Sequence, residues 1–270
     1  MAASLLVLTD FFPAANRALD YAANLAGALH AGLILLHVRR TSLLDAEGFS
    51  GAVSGQTQES ARVALSRLAE GLSVPAVIEV RQGRVAEVVA QAIKQHQPDL
   101  LVLGRPDTEA QPEESVSTAS LAILQASPYA MLVLPTHVPH GARPRRLLIA
   151  LDGEPFHLGQ GNQLLAQLFK ALHAQLILLH ISTHMETAAS ALDSFTQTGL
   201  SANLPPVQSL LLRHSSPAEG ILQAADPAQY DIVVLIARPR SILGKLFHRS
   251  VTAQVLLQSR LPVLVVPAAG

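Results

Sequence analysis

The sequence predicts a chain of two tandem α/β domains, each built on a parallel β-sheet with helices on both faces. The main observation is a stretch that occurs twice: residues 99–135 and 231–267 align over 37 positions without a gap. Each copy has an apolar run after an Asp, a polar loop, a helical segment and a second apolar run that closes on a Pro, as in a parallel βαβ unit. Two copies so far apart indicate that a whole domain is duplicated.

The remaining parts of the two halves also match. Residues 5–10 read LLVLTD and residues 147–152 read LLIALD, so each half opens with a buried-strand run that ends on an acid. Residues 31–38, AGLILLHV, correspond to residues 174–181, AQLILLHI. Between these runs, apolar and small residues recur with helical spacing on one face in both halves: Ala18, Ala22, Leu25 and Leu29, and Gly161, Leu165, Leu168 and Leu172.

The order of elements alternates strictly between strand and helix, which predicts right-handed crossovers. The first half has strands at 5–9, 32–38, 76–81, 100–104 and 130–134, with helices at about 14–29, 56–71, 84–96 and 116–126. Residues 42–55 are rich in Gly, Ser and Ala and are predicted to be a loop. The second half adds a helix at about 185–199, a strand at 208–213 and a helix at about 217–226.

Composition supports this organisation. The 270 residues are 49% hydrophobic and 14% charged, which fits strands buried on both faces. We predict domains at 1–138 and 146–270, joined by the Pro- and Gly-bearing linker 139–145. The chain has no cysteine, and neither a signal peptide nor a transmembrane run is visible. A cytoplasmic location without membrane contact is the expectation.

Charge is distributed unevenly between the halves. Residues 1–138 hold nine Lys and Arg and thirteen Asp and Glu, a net charge of −4. Residues 139–270 hold ten Lys and Arg and seven Asp and Glu, a net charge of +3. Much of the difference lies in the repeated loop, which is acidic in the first copy and basic in the second: Asp107, Glu109, Glu113 and Glu114, and Arg238, Arg240, Lys245 and Arg249. No basic stripe with interleaved aromatics is present, so nucleic acid is not the expected partner.

Ligands of open doubly wound sheets bind beyond the carboxyl ends of the strands, where the strand order reverses. The positions at such ends are the candidate site residues: Asp10, Val38 and Gly104 in the first half, and Asp152, Ile181 and Ile236 in the second. His37 and His180 end matching strands, and we interpret them as structural. No set of metal ligands or catalytic residues can be assembled from the sequence.

Taken together, these motifs resemble the universal stress protein (UspA-like) family in its tandem two-domain form. The resemblance rests on LLVLTD and LLIALD, LILLHV and LILLHI, DLLVLG with the loop and Ser117-Thr118 after it, and the final LPVLVVP. It implies a five-stranded Rossmann-like sheet of order 3-2-1-4-5 in each half. Because single-domain relatives pair their last strands between subunits, it also implies an internal pseudo-dimer in which residues 130–134 lie against 262–266. Further homodimerisation stays open.

Nucleotide-binding members of the family carry Gly, two residues, Gly, nine residues, then Gly and Ser or Thr in this loop. Glycines let backbone amides approach phosphates, and the hydroxyl begins a helix whose N-terminus favours an anion. Both copies here depart from the pattern. The first holds Gly104, Asp107, Ser117 and Thr118 at these places, and the second holds Ile236, Pro239, Arg249 and Ser250.

These departures favour a stress-response binding or scaffold module with degenerate nucleotide sites and no enzymatic turnover of ATP. The alternative is a sensor that still holds ATP, ADP or AMP at one site, more readily in the second half, where Arg249 and its basic neighbours attract anions. Asp10 and Asp152 suit either a ribose or base contact or a capping role. Ser117, Thr118 and Ser250 suit helix capping. A protein partner or another small molecule also remains open.

Overall fold

The fold is described from a computed structural model. It covers residues 3–39, 51–105, 117–182, 193, 195–197, 207–238 and 250–268, and the side chains of 51–57, 117–118 and 160–162 lie outside this description. Within these ranges, no helix is long and apolar enough to cross a membrane.

The first domain alternates strand and helix throughout. Its elements are β1 (Ser4–Thr9), α1 (Pro13–Leu29), β2 (Gly32–Arg39), α2 (Gly51–Glu70), β3 (Ala76–Gln82), α3 (Val85–His96), β4 (Leu100–Arg105), α4 (Ser117–Ala126) and β5 (Met131–Pro135). The central strands β1, β4 and β5 are almost wholly buried, because helices cover both faces of the sheet.

The second domain repeats this order. Its described elements are β6 (Arg146–Leu151), α5 (Gln160–Ala171), β7 (Gln175–Ser182), β8 (Gln208–Arg213), α6 (Pro217–Ala224), β9 (Ile232–Ala237), α7 (Val251–Gln258) and β10 (Val263–Pro267). The predicted helix at 185–199 falls mostly outside the described residues.

All ten described strands form one sheet, in the order β3-β2-β1-β4-β5-β10-β9-β6-β7-β8. Each half is parallel and has the order 3-2-1-4-5 that the family resemblance implies. β5 and β10 join the halves as antiparallel neighbours, with Leu132 opposite Leu264 and Val133 opposite Val263. The predicted contact between 130–134 and 262–266 is therefore confirmed, and the carboxyl ends of the two half-sheets face opposite ways.

The halves also contact each other away from the strand pair. α1 packs against α5. On β4, Arg105 donates from Nη1 to the carbonyl of Leu256 at 2.6 Å and from Nη2 to the carbonyl of Ser259 at 2.5 Å. A guanidinium at the carboxyl end of α7 complements the helix dipole. In the alignment of the two halves, Ala237 takes the place of Arg105, so the second half carries no arginine at this position.

One predicted boundary is wrong. Helix α2 begins at Gly51 rather than at about 56, so residues 51–55 of the predicted loop 42–55 are helical. The Gly and Ser content of GAVSGQ lowers helix propensity and misled the prediction. Residues 51–55 are helical despite that preference, at the start of a helix that packs against β3.

An Asp at the start of the fourth strand of each half fixes the first strand beside it. Asp99 accepts a hydrogen bond from the backbone N–H of Ser4 at 2.8 Å. Asp231 accepts from the N–H groups of Arg145 and Arg146 at 2.8 and 2.9 Å, and from Nη2 of Arg146 at 2.7 Å. Burial raises the pKa of Asp231, but the hydrogen bonds from Arg146 and Arg145 outweigh it, so the net pKa lies below the ordinary value of 3.8.

Asp231→Asn is expected to lower the free energy of unfolding by about 2 kcal/mol at pH 7, because charge-assisted hydrogen bonds are lost. A carboxyl whose pKa is lowered by folding stabilises the protein above its unfolded pKa, and this contribution disappears as the pH falls through the folded pKa. Urea unfolding at several pH values should therefore show the deficit shrinking below about pH 4. Glu59→Gln, an exposed carboxyl on α2, is the matched control and should change stability by less than about 0.5 kcal/mol at every pH. A deficit for Asp231→Asn that is independent of pH would contradict this assignment.

Candidate functional site

The candidate site of the second domain lies where β6 and β9 end side by side. These strands are parallel neighbours, with Leu147 opposite Ile232 and Ala150 opposite Leu235. Asp152 follows β6 directly and Arg238 follows β9 directly. The fold therefore brings an acid and a base from distant parts of the chain to the same edge of the sheet.

Arg238 binds the Asp152 carboxylate side-on, through two hydrogen bonds. Its Nε donates to Oδ2 at 2.6 Å, and its Nη2 donates to Oδ1 at 2.6 Å. The same guanidinium donates from Nη2 to the carbonyl of Glu154 at 2.8 Å and from Nη1 to the carbonyl of Pro155 at 3.0 Å. The side chain of Arg238 is 17% exposed, and that of Asp152 is 51% exposed. A planar fork matched to a carboxylate is the strongest form of this interaction.

Electrostatics agree with this geometry. The hydrogen bond with Asp152 raises the pKa of Arg238; burial lowers it, and the charges of Asp152 and Glu154 raise it further. The net shift stabilises the charged guanidinium. Its donors at this site are directed at Asp152 and at the loop that follows it.

The loop under Arg238 is longer than its counterpart in the first domain. α1 begins at Pro13, soon after β1 ends at Thr9, whereas α5 begins only at Gln160 although β6 ends at Leu151. The residues that Arg238 binds through their carbonyls lie in this additional non-helical segment. Arg238 thus satisfies backbone acceptors that a helical turn satisfies in the first domain.

Gly104 and Ile236 account for the different helix starts. A Cβ on Gly104 would lie 2.2 Å from the carbonyl oxygen of Ala14, so α1 can approach the end of β4 only because residue 104 is glycine. In the second domain the aligned residue, Ile236, carries a side chain that packs against the core. The surviving glycine of the loop is therefore required for packing in the first domain.

The first domain positions its acid in the same way as the second. Asp10 accepts a hydrogen bond through Oδ1 from the N–H of Phe12 at 3.0 Å, and Asp152 does so from the N–H of Glu154 at 3.1 Å. Phe11 has a left-handed backbone, with φ of 67°, and its ring lies 4.6 Å from that of His37. Phe12, two residues after Asp10, is 63% exposed to solvent. Within the described part of the chain, no cation lies within ion-pair distance of Asp10.

The remaining predicted positions are distributed around these two edges. Val38 and Ile181 are half-buried near the ends of β2 and β7 and pack against the hydrophobic core. Ser250 caps α7, its hydroxyl accepting from the N–H of Ala253 at 3.1 Å. Ser117 and Thr118 are the first two residues of α4, and their side chains lie outside the description. Asp107 and Arg249 lie wholly outside the described residues.

The two strand-end histidines make the same structural contact. The Nδ1 of His37 is 2.8 Å from the carbonyl oxygen of Thr9, and that of His180 is 3.0 Å from the carbonyl oxygen of Leu151. Because a carbonyl can only accept, each ring donates from Nδ1 and ties the second strand of its half to the end of the first. Among the residues that the structure covers, no group of three or more His, Asp or Glu could hold a metal ion.

The comparison with family models decides the identity. The model of the universal stress protein family matches residues 1–135 and again residues 144–267. The chain belongs to the universal stress protein family. It is a tandem member, because each half matches the family on its own. The predicted domain bounds, 1–138 and 146–270, remain predictions.

Solved structures support the same fold. A universal stress protein from Archaeoglobus fulgidus has a TM-score of 0.77 and 15% sequence identity, with 98% of each chain covered. A protein of unknown function from Pseudomonas aeruginosa has a TM-score of 0.57 and 14% identity, covering 99% of this chain and 93% of that one. At these identities the likeness concerns the fold alone. A comparison with curated proteins gives no match.

The ion pair between Asp152 and Arg238 was not anticipated from the sequence. The sequence alone indicates Arg238 only as part of a basic cluster, and Asp152 only as a ligand or capping residue. The signal was nevertheless present, because the strand order 3-2-1-4-5 makes the first and fourth strands neighbours. In the second half of this universal stress protein, the residues that directly follow those two strands meet as an ion pair.

Arg238→Ala is expected to lower the free energy of unfolding by about 2 kcal/mol, since a paired carboxylate and two carbonyls lose their donor. Amide hydrogen exchange of residues 152–158 should accelerate at the same time. Arg238→Lys is the matched control: it keeps the charge but cannot form the side-on fork, and it should restore less than about half of the loss. A change below about 0.5 kcal/mol for Arg238→Ala, with unaltered exchange, would show that the pair does not hold the loop.

Proposed function

We propose that this tandem universal stress protein is a stress-response binding or scaffold module whose nucleotide sites are degenerate and which does not turn over ATP. It would act in the cytoplasm, and as a monomer whose two halves take the place of two subunits. The observation that carries the proposal is the Arg238–Asp152 ion pair. An internal guanidinium binds the carboxylate that the family resemblance assigns to the ribose or base of a nucleotide.

In the second domain, the ion pair itself opposes nucleotide binding. A nucleotide that used Asp152 would have to displace Arg238 from two carboxylate contacts of 2.6 Å and from two carbonyl groups. Displacing the guanidinium would give up these charge-assisted hydrogen bonds, each worth about 1.5–3 kcal/mol at most, while water would take up the freed groups because Asp152, Glu154 and Pro155 are exposed. The loop after β9 also lacks the glycines of the family pattern, whose backbone amides would otherwise approach phosphates: Ile236, Pro239 and Arg249 take their places.

In the first domain, the remaining glycine of the motif serves packing. Gly104 is in contact with the backbone of Ala14, so its lack of a side chain serves the packing of α1 against β4. The sequence after it adds carboxylates, Asp107 among them, where nucleotide-binding relatives have a glycine. Like charges at about 4 Å repel by roughly 1 kcal/mol in water and by more near protein.

Thermal unfolding with and without MgATP, ADP or AMP tests the proposal. We expect the melting temperature to stay unchanged up to millimolar nucleotide. A ligand present at a hundredfold excess over its dissociation constant stabilises the folded state by about 2.7 kcal/mol, which such a measurement resolves readily. A rise in melting temperature that depends on nucleotide concentration and is abolished by Asp152→Asn would overturn the proposal in favour of a sensor that uses the second site.

A further inference from the structure

The two pseudo-equivalent acids differ in what they contact, and this difference points to a ligand. Asp152 holds a guanidinium that its own domain supplies from the residue after β9. The gap-free alignment of the repeats places Pro106 where the second domain has Arg238, so the first domain has no arginine at that position. We propose that Asp10, with the ring of Phe12, binds the guanidinium of an arginine side chain presented by a partner protein.

The orientation of the carboxylate is the first supporting observation. In both domains the Oδ1 atom of the acid accepts from the N–H two residues later, at 3.0 Å for Asp10 and 3.1 Å for Asp152. This contact fixes the plane of the carboxyl group before any ligand arrives. In the second domain, a carboxylate held in this way takes a side-on guanidinium at 2.6 Å on both oxygens. Asp10 therefore offers a receptor geometry that the same chain already uses.

An exposed aromatic side chain two residues after Asp10 is the second supporting observation. Phe11 turns inward, in ring contact with His37, while its neighbour Phe12 stays 63% exposed. A guanidinium bound to a carboxylate can stack its flat face on such a ring, whereas an ammonium lacks both the fork and the flat face. The first half also carries a net charge of −4, which attracts cations and disfavours anionic ligands.

The first site should release its ligand more readily than the second. Arg238 also binds the carbonyls of Glu154 and Pro155. In the first domain, the carbonyl of Phe12, the counterpart of Glu154, already accepts a hydrogen bond from the backbone N–H of Asn16, and the neighbouring carbonyl of Phe11 accepts from the Asn16 side chain. The first site therefore offers a guanidinium fewer carbonyl acceptors than the second, and we expect the interaction there to be exchangeable and suited to a partner from outside. This inference gives the proposed scaffold function a class of partner, and it can fail while the nucleotide sites are still degenerate.

NMR titration of the full chain with a blocked arginine peptide, acetyl-Gly-Arg-Gly-amide, tests the proposal. We expect saturable shifts of the amide resonances of residues 9–12, with a dissociation constant of about 1 mM. The same peptide with citrulline, which is neutral and nearly isosteric, should bind at least about tenfold more weakly, and the lysine peptide should lie between them. Raising the salt concentration should weaken the arginine complex.

Variants of the protein locate the binding site. Asp10→Asn retains the oxygen that accepts from Phe12 and should weaken arginine binding about tenfold or more, and Phe12→Ala should weaken it severalfold. Asp20→Asn, an exposed carboxyl on α1, makes the same charge change and should leave binding unaltered.

Four results would overturn the proposal: no saturable shift, equal binding of the citrulline peptide, unchanged binding by Asp10→Asn, or free arginine binding about tenfold more tightly than the peptide. Adding ATP to the same samples separates the two proposals, since binding of nucleotide would refute degeneracy whatever the arginine result.

Discussion

Gly104→Ala is expected to lower the free energy of unfolding by about 3 kcal/mol, one of the largest effects of any single methyl group in this protein. A Cβ at residue 104 would lie 2.2 Å from the oxygen and 2.4 Å from the carbonyl carbon of Ala14, and 2.8 Å from the nitrogen of Ala15. These atoms belong to the backbone at the start of α1, so no side-chain rotation can relieve the overlap. The helix must move away from β4 or lose its first turn.

Chemical denaturation monitored by circular dichroism measures this effect, and Gly27→Ala provides the matched control. Gly27 lies inside α1, where a new Cβ would come no closer than 4.0 Å to Val74. There the substitution should stabilise the protein by up to about 1 kcal/mol, because alanine is the better helix former. If Gly104→Ala cost less than about 0.5 kcal/mol, α1 would not be held against β4 as described.

Leu264→Ala is expected to cost about 3 kcal/mol, with an additional loss of cooperativity between the halves. Leu264 is 1% exposed on β10 and lies opposite Leu132 of β5, at the only strand pair that joins the two half-sheets in the described residues. Removing the side chain leaves a cavity in the region that both domains share. We therefore expect a broader denaturant transition than in the parent protein.

Leu211→Ala on β8 is the control for this substitution, because it makes the same change on the outermost strand of the second half. Leu211 is 39% exposed, so its truncation should cost about 1 kcal/mol or less and leave the transition sharp. Equal losses for the two variants would contradict the view that β5 and β10 form the structural centre of the chain.

Most of the fold could be predicted from the sequence, because its signals are local and repeated. Buried parallel strands read as runs of Leu, Val and Ile, as in residues 100–103 and 232–235, and the helices between them have a clear apolar face. The start of α2 was misplaced, since its glycines and serines lower helix propensity while its support comes from packing against β3. The resemblance to the universal stress protein family supplied the strand order, which composition and periodicity alone do not give.

The candidate site was only partly predictable. The acids at the strand ends were found because each follows an apolar run directly. The partner of Asp152 was missed, since recognising Arg238 requires the strand order and the strand ends to be considered together. The role of Gly104 was also missed: a glycine in a loop motif suggests phosphate binding, and only the path of α1 shows that the space is filled by the backbone of Ala14.

Native mass spectrometry of the freshly purified chain, followed by denaturation and identification of any released small molecule, tests the central claim most directly. The account predicts a protein that carries no nucleotide and remains free of it when ATP is added, because Arg238 binds Asp152 and Gly104 is in contact with α1. A stoichiometric adenine nucleotide, released on denaturation and lost in Asp152→Asn, would contradict it.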